Sequence, residues 1–304
     1  MRLVFGDEVR EALDRRAPLV ALESSVVAQG LPSPENAQAA HTCEEAVRRA
    51  GAVPATLAVI DGQVKVGLSA EEIQRLASGR ETVLKIGSRD LAGAVASLRT
   101  GGTTVSASVE IAARAGIRVF TTGGIGGVHR GVAETLDISQ DLLAISRTPV
   151  AVVCAGVKSV LDLPKTLEAL EAVAVPVVGV GTSDFPSFFC RTSGLSLDQR
   201  VEGAEDGARL LSVRFRELEQ GGLVLALPPP ADTALPASEL ERHLAAALAE
   251  ADARDVRGKA ITPFLLSELS RRTSGRTLKA NLALLEHNAR FAGELAVALA
   301  ALDG

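Results

Sequence analysis

The sequence predicts an α/β/α sandwich with a mixed central β-sheet, and three observations carry that prediction. Strand-like and helix-like patterns alternate from one end of the chain to the other. Runs such as "PVAVVCAG" (149–156) are apolar almost without interruption, as strands covered by helices on both faces must be. One hairpin, "TLAVI-DG-QVKVGL" (56–68), adds an antiparallel pair and so makes the sheet mixed.

Taken in order, "PLVALESSVVA" (18–28) is a buried strand running into a loop. Ser33 and Pro34 open a helix through Ala50, with serine as N-cap, proline at the first helical position and Gly51 as the stop. The hairpin follows, turning at Asp61-Gly62, and Ser69 with Glu72 forms a capping box for the next helix. A strand at 82–87 then precedes helices near 89–99 and 106–115, the second ending at Gly116. Further strands are expected at 117–122, 149–155, 175–180 and 223–227. Helices are expected near 139–147, 162–173, 202–219, 238–253 and 262–302, the last broken by "TSG" at 273–275. No linker or repeat divides the chain, and "LPPPADTALP" (227–236) also serves as a strand end, so residues 1–304 are expected to form a single domain.

Composition narrows the function classes. The 304 residues are 47% hydrophobic and 23% charged, which supports a large core and excludes disorder. A net charge of −5 gives no electrostatic footprint for nucleic acid or an anionic membrane. Aromatic residues are only 3%, all phenylalanine, which argues against base-stacking platforms for single strands. Cys43, Cys154 and Cys190 are far apart and odd in number, against a disulfide framework. The start "MRLVFGDEVREALDRR" is too charged for a signal peptide, and no apolar run approaches the ~20 residues of a membrane span. The expectation is a soluble cytoplasmic protein without nucleic-acid or membrane partners.

The segment "TTGGIGGVHRG" (121–131) holds five glycines, two threonines, a histidine and an arginine, directly after the apolar "AGIRVF". Neither phosphate-loop template fits it. A dinucleotide fingerprint starting at Gly124 needs glycine where His129 stands, and a P-loop ending at Gly131 needs lysine where Val132 stands. The glycines still offer backbone N–H groups to an anion, and the helix starting near 139 adds its dipole.

Ligands of open α/β sheets bind beyond the carboxyl ends of the strands, so polar residues in or after apolar runs are the candidates for chemistry. Glu23 interrupts "LVALESSVVA" and Lys85 interrupts "TVLKIGSRD". Thr121 and Thr122 open the glycine loop, Lys158 follows "AVVCAGVKS", and Asp137, Ser139 and Asp141 lie in "LDISQD". Only six of the 32 basic residues are lysine, so a lysine at a strand end stands out. A desolvated lysine is a competent nucleophile for imine formation, which arginine is not. Each residue also has a structural role open to it: Glu23 can pair with an arginine, the lysines can snorkel, and Asp137 or Ser139 can cap a helix. Four scattered histidines argue against a zinc site, and any metal is expected to be a hard, oxygen-liganded ion. The residues alone point to an enzyme for a phosphorylated small molecule, working through a lysine imine.

The blocks "VALESS", "GLPSPENAQ", "AVPATLAVIDGQVKVGL", "TTGGIGGVHRG", "TLDISQDL", "VVCAGVKSVLDLPKTLE", "FFCRTSG" and "GKAITPFLL" closely resemble the pseudouridine-5′-phosphate glycosidase family, also called indigoidine-synthase-A-like. The resemblance covers about residues 18–290. It implies reversible cleavage of the carbon–carbon glycosidic bond of pseudouridine 5′-phosphate to uracil and ribose 5-phosphate. Such a bond offers no basic leaving oxygen, so a lysine imine at C1′ suits it better than a pair of carboxylates. By resemblance, Lys158 is the imine-forming nucleophile, Glu23 the general acid/base, and Asp137 the holder of one Mn²⁺ ion, largely through waters. Lys85, Thr122, Ser139, Gln140 and Asp141 resemble phosphate and substrate contacts. Val105 matches a backbone contact to uracil, Asn281 a side-chain contact to it, and His129 the histidine beside the sugar. Similar proteins form homotrimers. The chain departs from the pattern in Ser25, which follows Ser24 where threonine is usual, and in "GVGTSDFPSFF" (179–189), which bears on a lid or a subunit contact. Two other readings share the local features: another Schiff-base phosphosugar lyase or aldolase, and a non-catalytic nucleotide-binding module.

Overall fold

The structure is a computed structural model that describes residues 2–79, 82–256, 258 and 261–302, so Lys259 and Ala260 of the block "GKAITPFLL" lie outside the described residues. The chain starts with a short strand, β1 (Leu3–Phe5), and a helix, α1 (Asp7–Asp14), and then enters the sheet with β2 (Leu19–Leu22). A wide turn of π-helix (Val26–Gly30) leads to α2 (Glu35–Arg49). That helix starts later than the sequence predicts, and Ser33 does not cap it. Its first amides are met instead by Pro32 O, which accepts from Asn36 N, and by the Asn36 side chain, which accepts from Ala37 N.

The hairpin β3 (Val53–Ile60) and β4 (Gln63–Val66) forms as predicted, with Asp61 and Gly62 both at positive φ in its turn. Ser69 and Glu72 make the expected capping box on α3 (Ala70–Ala77). β5 (Leu84–Ile86) is followed by a 3₁₀ turn at Ser88–Asp90, α4 (Leu91–Ala96), β6 (Gly101–Thr103) and α5 (Val105–Arg114). β7 (Val119–Thr121) runs into the glycine loop, then come α6 (Val132–Thr135) and α7 (Gln140–Arg147). The chain continues through β8 (Ala151–Cys154), α8 (Leu163–Ala172), β9 (Val177–Val180), β10 (Gln199–Val201), α9 (Ala204–Ser212) and β11 (Leu223–Ala226). It closes with α10 (Ala237–Ala253), α11 (Ile261–Arg272) and α12 (Arg276–Ala301), the break between the last two at "TSG".

The strand order is β1-β4-β3-β2-β7-β8-β11-β9-β10, with β6 also paired to β3 and β5 to β6. The β3–β4 and β3–β6 pairs are antiparallel and the rest parallel, so the sheet is mixed. Helices α2, α9 and α12 pack together on one face, and α5 packs with α7 on the other. This is the predicted α/β/α layering.

One irregularity in the sheet builds the site. β3 pairs β2 through Thr56 and then takes β6 on the same flank, from Ala58. β2 therefore leaves the sheet at Leu22, and Ser24 closes the gap: its hydroxyl donates to Leu57 O at 2.5 Å and accepts from Thr103 N at 3.0 Å. A side chain at Gly102 would stand 2.7 Å from Ser24 O, so this crossing requires glycine.

Candidate active site

Glu23 is the first residue beyond β2, Thr122 the first beyond β7, and Lys158 lies four positions beyond β8. These three strands are parallel neighbours, so their ends deliver a carboxylate, a hydroxyl and an amine to one edge of the sheet. Lys85, in the middle of β5, arrives there because the β5–β6 pair is appended where β2 leaves. Glu23, Lys85, Lys158 and Asn281 of α12 line a single cavity of about 50 Å³, taken as the space open to the centre of a water molecule.

Glu23 is buried, and both its carboxylate oxygens accept hydrogen bonds. Ser25 Oγ donates to Oε2 at 2.5 Å, and the Thr122 hydroxyl donates to Oε1. The Thr122 amide donates to Val153 O at 3.1 Å, which fixes that hydroxyl relative to β8. Lys158 is set by its own backbone: its amide donates to Ile125 O at 3.2 Å, and its carbonyl accepts from Leu161 N at 3.0 Å. The wide turn after Ser25 brings Val26, Gln29 and Gly30 to the cavity, and Gln29 Nε2 donates to Val83 O at 2.9 Å.

His129 stands nearby, with Nδ1 3.9 Å from Asp137 Oδ2 and its amide bonded to Asp137 O at 3.0 Å. Burial lowers its pKa below the usual histidine value, Lys85 and Lys158 lower it further, and Asp137 opposes them. The imidazole is thus neutral at pH 7. Among the described residues no three or more His, Cys, Asp or Glu side chains gather to hold a metal. Asp137, half-exposed, offers one carboxylate beside a neutral imidazole. That donor set suits a hard divalent ion that keeps most of its waters.

Thr122, His129, Asp137 and the remaining predicted residues do not line this cavity. Val105 is buried at the start of α5. Ser139 caps α7 by accepting from Asp141 N, and Gln140 Oε1 accepts from Arg89 N at 2.9 Å. Asp141 is buried and ties two turns together, accepting from Ser106 N and from Gly126 N, each at 2.9 Å.

The glycine loop is filled largely by the protein itself. The amides of Ile125, Gly126, Val128 and His129 all have partners within the chain. An added Cβ would meet the Phe188 ring at 2.6 Å from Gly124, Asp141 Oδ2 at 2.8 Å from Gly126, and Thr166 at 2.5 Å from Gly127. These glycines admit neighbouring side chains; only Gly123 and Gly124 reach the cavity wall.

Some contributors carry no clear signal in the sequence. Phe188, at φ +55°, lines the cavity and stacks edge-on against Phe189 at 4.6 Å between ring centroids. It belongs to the divergent 179–189 stretch, which therefore forms part of the cavity wall. Asn288 is fully buried in α12 and donates to Thr122 O at 2.9 Å. Ser25 was signalled only as the second hydroxyl of "ESS". Outward, Gln29, Gly30, Pro263, Leu266 and Asn281 are shared with a larger chamber of about 500 Å³.

A family model described as indigoidine synthase A like protein matches residues 8–298. A relative from Myxococcus xanthus (strain DK1622), named pseudouridine-5′-phosphate glycosidase, is 62% identical over 300 residues, covering 99% of this chain and 99% of the relative. A relative of the same name from Escherichia coli (strain K12) is 47% identical over 294 residues, covering 97% of this chain and 94% of the relative. Among solved structures, the prealnumycin C-glycosynthase AlnA in complex with ribulose 5-phosphate superposes with a TM-score of 0.91 at 40% identity, covering 99% of this chain and 98% of that one. An indigoidine synthase A-like protein from Thermotoga maritima MSB8 superposes with a TM-score of 0.88 at 37% identity, covering 98% and 96%.

Proposed function

The chain belongs to the indigoidine synthase A like family, and on that premise we propose that it is a pseudouridine-5′-phosphate glycosidase. It splits pseudouridine 5′-phosphate with water, reversibly, into uracil and ribose 5-phosphate. The observation that carries this reading is the meeting of Glu23, Lys85, Lys158 and Asn281 around one cavity, in a chain 62% identical to a relative of that name.

The residues divide the chemistry as follows. The Lys158 amine forms a bond to C1′ as the C1′–O4′ bond breaks, and O4′ takes a proton from Glu23. Glu23 then removes a proton from the new C1′–N group. The nitrogen lone pair forms C1′=N as the C1′–C5 pair passes to the base, and Glu23 returns its proton to C5. Water hydrolyses the imine, releasing ribose 5-phosphate and the free lysine. Lys85 supplies a fixed positive charge to the anionic substrate, and Asn281 offers amide donors and acceptors to the base. The Ser25 and Thr122 hydroxyls hold the Glu23 carboxylate in place through its three proton transfers.

Asp137, with neutral His129 beside it, is the residue that would hold Mn²⁺; when bound, the ion supplies positive charge at that edge of the site. A homotrimer and a cytoplasmic location complete the proposal; among the described residues no helix is long and apolar enough to cross a membrane. The purified protein is expected to release uracil and ribose 5-phosphate from pseudouridine 5′-phosphate, and to make it from the two products. Turnover in neither direction would overturn the proposal.

A further inference from the structure

Glu23 forms part of the wall between two spaces. One is the cavity with Lys158; the other lies behind it, lined by Leu22, Cys43, Thr56, Thr121 and Thr122 among others. The second space is about 20 Å³ by the same measure, above the roughly 10–15 Å³ that one water needs. Thr56, Leu22 and Thr121 lie abreast on β3, β2 and β7, so their side chains share one sheet face. The Thr121 hydroxyl is buried there with no hydrogen-bond partner in the protein. A water in this space has Thr121, Thr56 and Glu23 as candidate partners, the number that buried waters require.

A hydrogen-bonded pair links this space to the surface. Thr56 Oγ1 donates to Glu44 Oε1 at 2.6 Å, and Glu44 lines an open surface groove with Arg48, Lys65 and Glu72. Glu44 is a buried carboxylate that the proposed chemistry leaves unused.

We propose that Glu44, Thr56 and one water bound at Thr121 form a proton path from the surface groove to Glu23, entering from the side opposite the substrate. The inference rests on the proposed role of Glu23 as the proton carrier. Its use is physical: Glu23 is 7% exposed, and substrate on the Lys158 side separates it from solvent. For an inward transfer, protonated Glu44 gives its proton to Thr56 Oγ while Thr56 passes its own proton to the water. The water passes one of its protons to the Glu23 carboxylate, and Glu44 regains a proton from solvent in the groove. Outward transfer reverses each step, and no group is changed at the end.

The charges around the path are consistent with this. Burial raises the Glu44 pKa and Glu8 raises it further, against the Thr56 hydrogen bond, Arg48 and His41. Lys65 is engaged by Glu72 at 2.9 Å. The Cys43 thiol is pushed up to about 12, by burial first and then by Glu286, Glu44 and Glu23, so it stays protonated.

The test compares the intact protein with Thr56→Val and Glu44→Gln, using kcat, KM, the pH–rate profile and the solvent deuterium isotope effect on pseudouridine 5′-phosphate cleavage. Thr56→Val keeps the shape and removes the relay hydroxyl. We expect kcat to fall by about tenfold, less than loss of the acid–base group itself, with KM unchanged and an altered isotope effect. Glu44→Gln keeps an acceptor for Thr56 and shifts the pH–rate profile. Wild-type kcat, profile and isotope effect in both variants would overturn the path. A high-resolution crystal structure tests it independently of activity: a water on Thr121 is expected, and an empty space there overturns the inference. Failure of the wild-type protein to cleave the substrate would instead overturn the proposed function.

Discussion

The Gly126 amide donates to Asp141 Oδ2 at 2.9 Å, so the carboxylate of "DISQD" is built into the glycine loop. The other oxygen of Asp141 accepts from Ser106 N, and one buried group thus locks the loop to the start of α5. Asp141→Asn keeps one acceptor where two N–H donors arrive, and is expected to cost about 1–3 kcal/mol. Gly126→Ala should cost a similar amount through collision with Ser139 and Asp141. Urea unfolding measures both; a change below about 0.5 kcal/mol in either variant would contradict this scaffold role.

The hydroxyl pair on Glu23 makes a kinetic prediction. Thr122→Val and Ser25→Ala each remove one donor from the carboxylate. Hydrogen bonds to charged groups are worth about 1.5–3 kcal/mol, so each change should lower kcat roughly tenfold or more. Steady-state assays check it, and an unchanged kcat would mean that Glu23 needs neither partner. Glu23→Ala should still take up ribose 5-phosphate as the Lys158 imine but fail to release uracil from pseudouridine 5′-phosphate, a split that borohydride trapping and rapid-quench analysis resolve.

His129 predicts a pH dependence. Its pKa is lowered in the folded protein, so the unfolded chain takes up a proton more readily. Its contribution to stability is therefore whole above the unfolded value of 6.5 and is lost as pH falls below it toward the folded value. Asp137 opposes the shift, so Asp137→Asn should lower the His129 pKa further. NMR titration of the imidazole, assigned with a His129→Gln spectrum, would contradict this if the pKa rose.

The Ser69–Glu72 capping box gives a stability prediction away from the site. Ser69→Ala should destabilise the protein by about 1 kcal/mol, with activity intact. Thermal or urea unfolding checks it; an unchanged midpoint would mean that the N-terminus of α3 adds nothing to stability.

The sequence disclosed what depends on local chemistry. Asp61-Gly62, the capping box and the apolar runs that become β2, β7 and β8 each carry their cause within a few residues. Glu23 and Lys158 were legible because a charged residue in or after an apolar run is conspicuous. What stayed hidden depends on partners far along the chain. β6 is "GGT", poor in strand propensity, and forms because Ser24 and β3 receive it. β1 and β10 are three-residue edge strands held by a single neighbour each. The glycines of 121–131 suggested an anion cradle, whereas the close approach of Phe188, Asp141 and Thr166 accounts for three of them. Asn288 looks like any polar residue in a helix until α12 lays it against Thr122 O.

The central claim is that Lys158 carries the imine. Treatment with ribose 5-phosphate and borohydride, followed by intact-mass and peptide analysis, tests it most directly. One reduced pentose phosphate adduct per chain is expected, located on Lys158 and abolished by Lys158→Ala. No adduct, or one that persists in Lys158→Ala, would contradict it.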